Sequence, residues 1–318
     1  MNFDLDAFSA VINTLVPVFA IVFLGAVLRA TGFLTEAFST VLNKFVFWIP
    51  LPCMIIHTIK GSEIGADCFD TAAVLMLSTL VIGAIAWWGA KWFGIQEHSR
   101  GSFTQSVFRS NNAYIGIPVM LMAYQGHSNL QQVASLAMLT LAPCLILYNV
   151  LAVIVLTPSG TGSRAKRYSK LAKGIVTNPL IIACVAGGFL FFTKFELPRG
   201  IDNTIKTLGD MATSGALVAL GASLTPDRLR SAMRGANVVS FLKLVVCPLI
   251  GLGFSMLFGL SPEGRFVALI YLACPSAVAS FVMAQAMKGD SVLAGGAVAL
   301  STVYSVISLA VVLLFTMP

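Results

Sequence analysis

Charge is what this sequence has least of. Asp, Glu, Lys and Arg make up 10% of its 318 residues, against 57% hydrophobic residues, whereas a soluble domain carries about 25% charged residues. A surface so poor in charge faces lipid, which excludes a soluble enzyme or a soluble binding module. No polar segment is long enough to fold as a domain of its own. The six cysteines make no disulfide framework. Cys53, Cys144, Cys184, Cys247 and Cys274 fall in apolar segments and Cys68 in a loop-like one, so the thiols read as small hydrophobes. The N-terminus lacks a basic n-region and carries Asp4 and Asp6. Its first apolar run continues to about Leu28, too long for a cleaved leader, and reads as a membrane helix.

A helix needs about 20 apolar residues to cross the hydrocarbon. Ten segments qualify: 8–28, 39–58, 71–93, 102–123, 131–156, 175–193, 202–223, 236–258, 265–287 and 292–316. The expected fold class is an all-α polytopic membrane protein of ten transmembrane helices. The formal charge of +7 sits in short loops, where Lys and Arg set orientation, and does not suggest nucleic acid. With both termini outside, inner loops hold Arg29, Lys91, Arg100, Arg164, Lys166, Arg167, Lys170, Lys173, Arg228, Arg230, Arg234 and Lys288. Outer loops hold Lys60, Lys194, Arg199, Lys206 and Arg265, with Asp4, Asp6, Glu63, Asp67 and Asp70. That bias predicts termini outside the cytoplasmic (inner) membrane and the 157–174 linker inside.

The linker divides the chain into 1–156 and 175–318, five segments each. Five is odd, so the second half enters the membrane inverted relative to the first. Weak similarity recurs at an offset of about 162 residues: Pro17 with Pro179, Ala123-Tyr124-Gln125-Gly126 with Ala286-Met287-Lys288-Gly289, and Thr140 with Thr302. The same offset lays Asn112 on Pro275. Those two residues sit in the two segments with interruptions, Ser110-Asn111-Asn112-Ala113-Tyr114-Ile115-Gly116-Ile117-Pro118 and Ala273-Cys274-Pro275-Ser276-Ala277-Val278-Ala279-Ser280. A lone Pro in a membrane helix is usually a kink. Paired interruptions in corresponding halves, one with two amides, point to the binding site of a transporter built from broken helices.

At these residues the chain resembles the auxin efflux carrier family, which holds plant PIN-formed exporters and many bacterial carriers. Ser110 to Val119 is similar to the family's Ser-Asn-…-Gly-Ile-Pro motif in helix four. Leu217-Val218-Ala219-Leu220-Gly221-Ala222-Ser223-Leu224 resembles the end of its helix seven. Lys243-Leu244-Val245-Val246-Cys247-Pro248 resembles a stretch of its helix eight, and Leu272-Ala273-Cys274-Pro275 its helix-nine Pro motif. The resemblance covers nearly the whole chain. It implies two inverted five-helix repeats with helices four and nine broken and crossing, a fold shared with bile-acid sodium symporters. It implies a scaffold of helices 1, 2, 6 and 7 that forms a homodimer, and a transport core of helices 3–5 and 8–10 that moves as an elevator. The substrates it implies are small organic anions, among them indole acetate and carboxylates such as malonate. Ser276 stands where plant members often carry Gln, so plant substrate preference does not transfer.

Where a helix breaks, its second half begins with unpaired N–H groups and the positive end of a dipole, which together suit a carboxylate. The candidate substrate-binding residues are therefore Asn111, Asn112, Tyr114, Gly116, Pro118, Pro275, Ser276 and Ser280. Pro52 is expected to unwind helix two, with Pro50, beside them. Ionisable or amide groups at membrane depth form a supporting set: His57, Asp210, Lys243 and Gln285. For Lys243 three readings stand: an ion pair with Asp210, snorkelling to the interface, and substrate contact. Arg109 is either an anion attractor or an interfacial anchor. His57 is either a proton relay or structural. No cofactor or metal site is expected.

Bile-acid-type relatives use an acid in helix nine among their cation ligands; here that segment offers Ser276, Ser280 and Gln285, with no acid before Asp290. Proton coupling or uniport is preferred to sodium symport, which stays as the alternative beside an anion channel. An intramembrane enzyme is disfavoured. No His-Glu-x-x-His or Gly-x-Ser-x-Gly occurs, and Gly209-Asp210 and Gly289-Asp290 lack the first Gly of the aspartyl-protease Gly-x-Gly-Asp.

Overall fold

The computed structural model describes residues 5–61, 67–157, 176–224 and 233–317. The basic linker 158–174, Arg228, Arg230, Asp4 and Glu63 lie outside them. The described residues are almost all helical. Six helices are long and apolar enough to cross a membrane: Ser9–Ala30, Glu36–Lys60, Asp67–Gly89, Leu130–Leu156, Met233–Leu257 and Ser291–Thr316. They define a polytopic helical membrane protein.

The other four expected segments are helical too, but each is short or divided. Segment four is Arg100–Phe108 followed by a wide turn, Asn112–Gly116, and Ile117–Ala123. Segment six is Pro179–Thr193. Segment seven divides at Met211 into Arg199–Asp210 and Ala212–Ser223, and its first part carries Arg199, Asp202, Lys206 and Asp210. Segment nine divides into Pro262–Ala273 and Val278–Ala286. Cys68, read as loop-like, lies in the first turn of Asp67–Gly89.

Helix starts follow local chemistry. The Asn178 side chain accepts from the N–H groups of Leu180 and Ile181, and Pro179 opens the helix behind it. Ser261 accepts from Gly264 N–H ahead of Pro262, and Asp290 accepts from Leu293 N–H. A capping oxygen supplies an acceptor for orphan N–H groups, and proline at the first position gives up an N–H that has no helical partner. Proline in segment two works the same way. The helix is interrupted only at Ile49 (φ −124°, ψ −71°), and Pro50 starts Pro50–Lys60 with Pro52 in its first turn. The expected unwinding around Pro52 is thus a one-residue kink.

The chain divides into two compact units. The first comprises Met1–Cys68, Ala113–Ala142 and Val176–Leu224; the second comprises Phe69–Asn112, Pro143–Ile175 and Thr225–Pro318. One boundary, Asn112/Ala113, falls inside the first break, and another, Ala142/Pro143, falls at a proline within a continuous helix. Pro143 lies within Leu130–Leu156, where proline removes one helical hydrogen bond.

Small residues let helices approach closely in each unit. In the first, Leu5–Ala30 packs on Ala212–Ser223 with Gly25 and Gly221 at the contact. A Cβ on Gly221 would lie 1.9 Å from the Val22 carbonyl oxygen, and one on Gly25 would lie 2.3 Å from that of Val218. In the second, a Cβ on Gly101 would lie 2.3 Å from the Val155 carbonyl oxygen. Membrane helices associate through such close packing, because lipid offers no hydrophobic drive between them. Gly221→Val should therefore lower stability by about 1–3 kcal/mol or more, read as a lower melting temperature in detergent, while Gly253→Ala, with open space around it, should melt like the wild type.

Candidate functional site

The second unit contains the second helix interruption and the extended start of the first, up to Asn112. Pro275 has no N–H and pushes the residue before it toward extended backbone. Cys274 accordingly ends its helix at φ −61°, ψ 148°, and Ala277 is extended before the next helix starts at Val278. In the other interruption, Arg109 leaves the helix at φ −88°, ψ 108°, followed by Ser110 and Asn111, whose short polar side chains favour non-helical backbone. The two extended pieces pair. Ser110 and Ser276 form an antiparallel bridge, Asn111 N–H donates to Pro275 C=O at 2.8 Å, and Ala277 N–H donates to Arg109 C=O at 3.0 Å. Each interruption thereby satisfies backbone groups that the other has freed, as membrane depth requires.

Side chains lock the crossing. The Ser276 N–H donates to Ser301 Oγ at 3.0 Å, and the Ser276 hydroxyl donates to Ser106 C=O. Ser276, expected to present a donor to substrate, thus has its hydroxyl proton committed within the protein. Gln105 Nε2 donates to Ser280 C=O at 2.7 Å.

Two buried cations flank the crossing. Lys243 is fully buried, which excludes snorkelling. Its Nζ donates to Ser110 Oγ in the first interruption, to Leu272 C=O at 3.0 Å just before the second, and to Cys247 Sγ at 3.7 Å. Lys243 lies in a wide turn, Leu242–Val246, that precedes Pro248. Pro248 has no N–H for the Leu244 carbonyl four residues back, and Ser308 Oγ donates to that carbonyl instead, at 2.7 Å. Arg109 is 5% exposed and so is no interfacial anchor. It donates to Asn149 Oδ1 at 2.9 Å and to Met283 Sδ at 2.8 Å. Every one of these acceptors is neutral. Among the described residues neither cation joins an ion pair, although a buried charge without a counter-charge is costly.

Polar atoms beside the cations lack partners. Asn111 Nδ2, both amide atoms of Asn112, Ser280 Oγ and Gln105 Oε1 are buried without a hydrogen bond. Asn112 is 2% exposed and Ser280 0%. Each such group costs about 1–3 kcal/mol unless a ligand or water serves it. The helix Val278–Ala286 also starts without a side-chain cap, so its first N–H groups lack that partner.

Of the expected residues, Asn111, Asn112, Pro275, Ser276, Ser280 and Lys243 come together in the second unit. Tyr114, Gly116, Pro118, Pro52, His57 and Asp210 belong to the first unit. There Tyr114 donates to Asn43 C=O at 3.3 Å. His57 Nδ1 lies 3.9 Å from Asp202 Oδ1, next to the Lys60–Asp202 ion pair, and Asp210 is exposed at a helix end. Gln285 is exposed in the last turn of Val278–Ala286, and takes no part in the crossing. Gln105 and Asn149 were not anticipated. Both are amides inside apolar segments, the same signal that marked Asn111 and Asn112.

A helical membrane protein whose interruptions cross beside buried cations belongs among the solute carriers. Residues 10–313 match the model of the membrane transport protein family, and the chain belongs to that family, the one with auxin efflux carriers. An uncharacterized transporter of Methanothermobacter thermautotrophicus is 24% identical over 300 residues, covering 93% of this chain and 95% of the relative. Another from Methanocaldococcus jannaschii is 23% identical over 92% of this chain and 94% of its own. The uncharacterized transporter YfdV of Escherichia coli is 23% identical over 86% and 87%.

The hydrogen bonds separate architecture from ligand contact. Ser276→Ala, which strips a bond from the crossing, should cost about 1–3 kcal/mol of stability. Asn112→Ala, which removes atoms with no protein partner, should melt at or above the wild-type temperature in ligand-free detergent.

Proposed function

We propose that the chain is a secondary transporter that moves a small organic anion, a mono- or dicarboxylate, across the cytoplasmic membrane. The observation that carries this reading is the pair of buried cations, Lys243 and Arg109, which have only neutral acceptors and stand beside unpartnered amides at the crossing. An incoming carboxylate supplies the missing negative charge and accepts from Asn111 and Asn112. It also meets the start of the Val278–Ala286 helix, where the helix dipole favours an anion. A neutral solute can serve the amides but brings no counter-charge to Lys243 and Arg109, and a cationic one adds repulsion.

The transport cycle in this reading is elevator-like alternating access. Unit boundaries at Asn112/Ala113, inside the first break, and at Ala142/Pro143, at a proline within a helix, support it as candidate hinge positions. Ten membrane segments in two inverted five-segment repeats, termini outside and a homodimer complete the proposal. The offset similarity and the Lys/Arg bias support the first two of these, and the family resemblance supports the dimer.

Sodium plays no part in this reading. Around its interruption, from Gly264 to Gly289, segment nine has no acid, and a sodium ion near the crossing would meet the ammonium of Lys243.

Uptake of labelled carboxylates into proteoliposomes tests the proposal. Saturable uptake is expected, with Asn112→Ala slower at least tenfold while its melting temperature is kept; uptake of cations or sugars alone would refute it. Replacement of sodium by choline at constant pH should leave uptake nearly unchanged. A steep sodium dependence would contradict the cation argument and revive a sodium symporter.

A further inference from the structure

The second unit also carries a groove unrelated to the crossing. It encloses about 800 Å³ between the helices at 233–257, 262–273 and 291–316. Its walls include Phe241, Leu249, Leu252, Ile307, Val311 and Phe315. Several of these stand open, with Ile307 70% and Phe315 84% exposed. The hydroxyls in the walls are already bonded to helix carbonyls: Ser240 to Ala236 at 2.9 Å and Ser308 to Leu244 at 2.7 Å. The interior of the groove therefore offers nothing to a polar solute.

Polarity is confined to the ends. At one end Tyr304 donates to Asn237 Oδ1 at 3.2 Å, a pair that closes on itself. The other end holds Arg265, in the first turn of Pro262–Ala273, four residues after the turn that follows Met256. The Arg265 Nε is shielded from solvent and bonds to nothing, and among the described residues its guanidinium joins no ion pair. Glu263 is two positions earlier on the helix, a spacing that turns it to another side. The positive helix start adds to the charge of Arg265. Asn237 to Met256 spans 19 residues, about 28 Å of helix, close to the roughly 30 Å of the hydrocarbon core. The half of that groove nearest Arg265 takes the acyl chain of one leaflet, about 15 Å of hydrocarbon, and the guanidinium at its end, without an ion pair among the described residues, suits a phosphate head.

We infer that this groove is a binding site for one anionic phospholipid, its phosphate on Arg265 and an acyl chain along Leu249, Leu252 and Ile307. The inference is independent of which solute the crossing takes. The lipid differs from bulk lipid in that its head is fixed by a charge-assisted, fork-shaped contact, so a zwitterionic lipid whose phosphate is offset by its own amine binds less well.

Native mass spectrometry of the purified full chain, titrated with phosphatidylglycerol, phosphatidylcholine or glycerol 3-phosphate, tests it. One phosphatidylglycerol per chain should survive collisional activation that strips phosphatidylcholine, and glycerol 3-phosphate should give no adduct. Arg265→Gln should lower the retained phosphatidylglycerol at least fivefold, Arg265→Lys less, and Leu252→Trp, which fills the groove, should abolish retention. Melting of Arg265→Gln in lipid-free detergent should equal the wild type, because among the described residues Arg265 has no ion-pair partner to lose. Equal retention of the two lipids, undiminished phosphatidylglycerol on Arg265→Gln, or retention of glycerol 3-phosphate would overturn the inference. So would a shift from dimer to monomer in Leu252→Trp with lipid retention intact, which would make the groove a contact between copies.

Discussion

Unpaired backbone at membrane depth is the constraint from which the rest follows. A chain that interrupts two apolar helices exposes N–H and C=O groups that lipid cannot serve. Here they serve each other: Asn111 N–H reaches Pro275 C=O and Ala277 N–H reaches Arg109 C=O, across the Ser110–Ser276 bridge. The bonds of Ser276 to Ser106 and Ser301, and of Gln105 to Ser280, hold the crossing in place. Lys243 spans both interruptions through Ser110 and Leu272. Its own position depends on a third irregularity, the wide turn before Pro248, a kind of turn common at functional sites.

The electrostatic consequence is asymmetric. Among the described residues the crossing gathers two cations and several amides and no carboxylate, so it is short of negative charge. In a soluble protein water would make up the difference. At membrane depth the shortfall is an attraction for an anionic solute, one that weakens if the solute is protonated. In the proposed reading charge supplies the attraction, and the unpartnered Asn111, Asn112 and Ser280 groups supply the directions.

Much of this was legible in the residues. Asn111 and Asn112 stood out because amides in an apolar run need partners, and Pro275 because it cannot donate. The offset of about 162 residues aligned the two breaks with each other; that they pair in space follows from the Ser110–Ser276 bridge. What the sequence could not decide was which side chains are spent on architecture. Ser276 and Ser280 look alike in the sequence, yet one hydroxyl is committed to Ser106 and the other is unpartnered. The fate of Lys243 was equally open, because snorkelling, ion pairing and burial depend on whether acceptors await the ammonium, and two of those, Ser110 and Leu272, come from other segments. Gln285 misled for the converse reason. It follows the break closely in sequence, but helix geometry carries it about two turns off and out to the surface.

The central claim is that buried positive charge selects an anion. Isothermal titration of the purified protein with size-matched sets of carboxylates, alcohols and amines tests it most directly, with Arg109→Gln alongside. The account predicts heat of binding from carboxylates alone, with affinity reduced at least tenfold in the variant; binding of the amines or alcohols, or carboxylate affinity indifferent to Arg109, would contradict it.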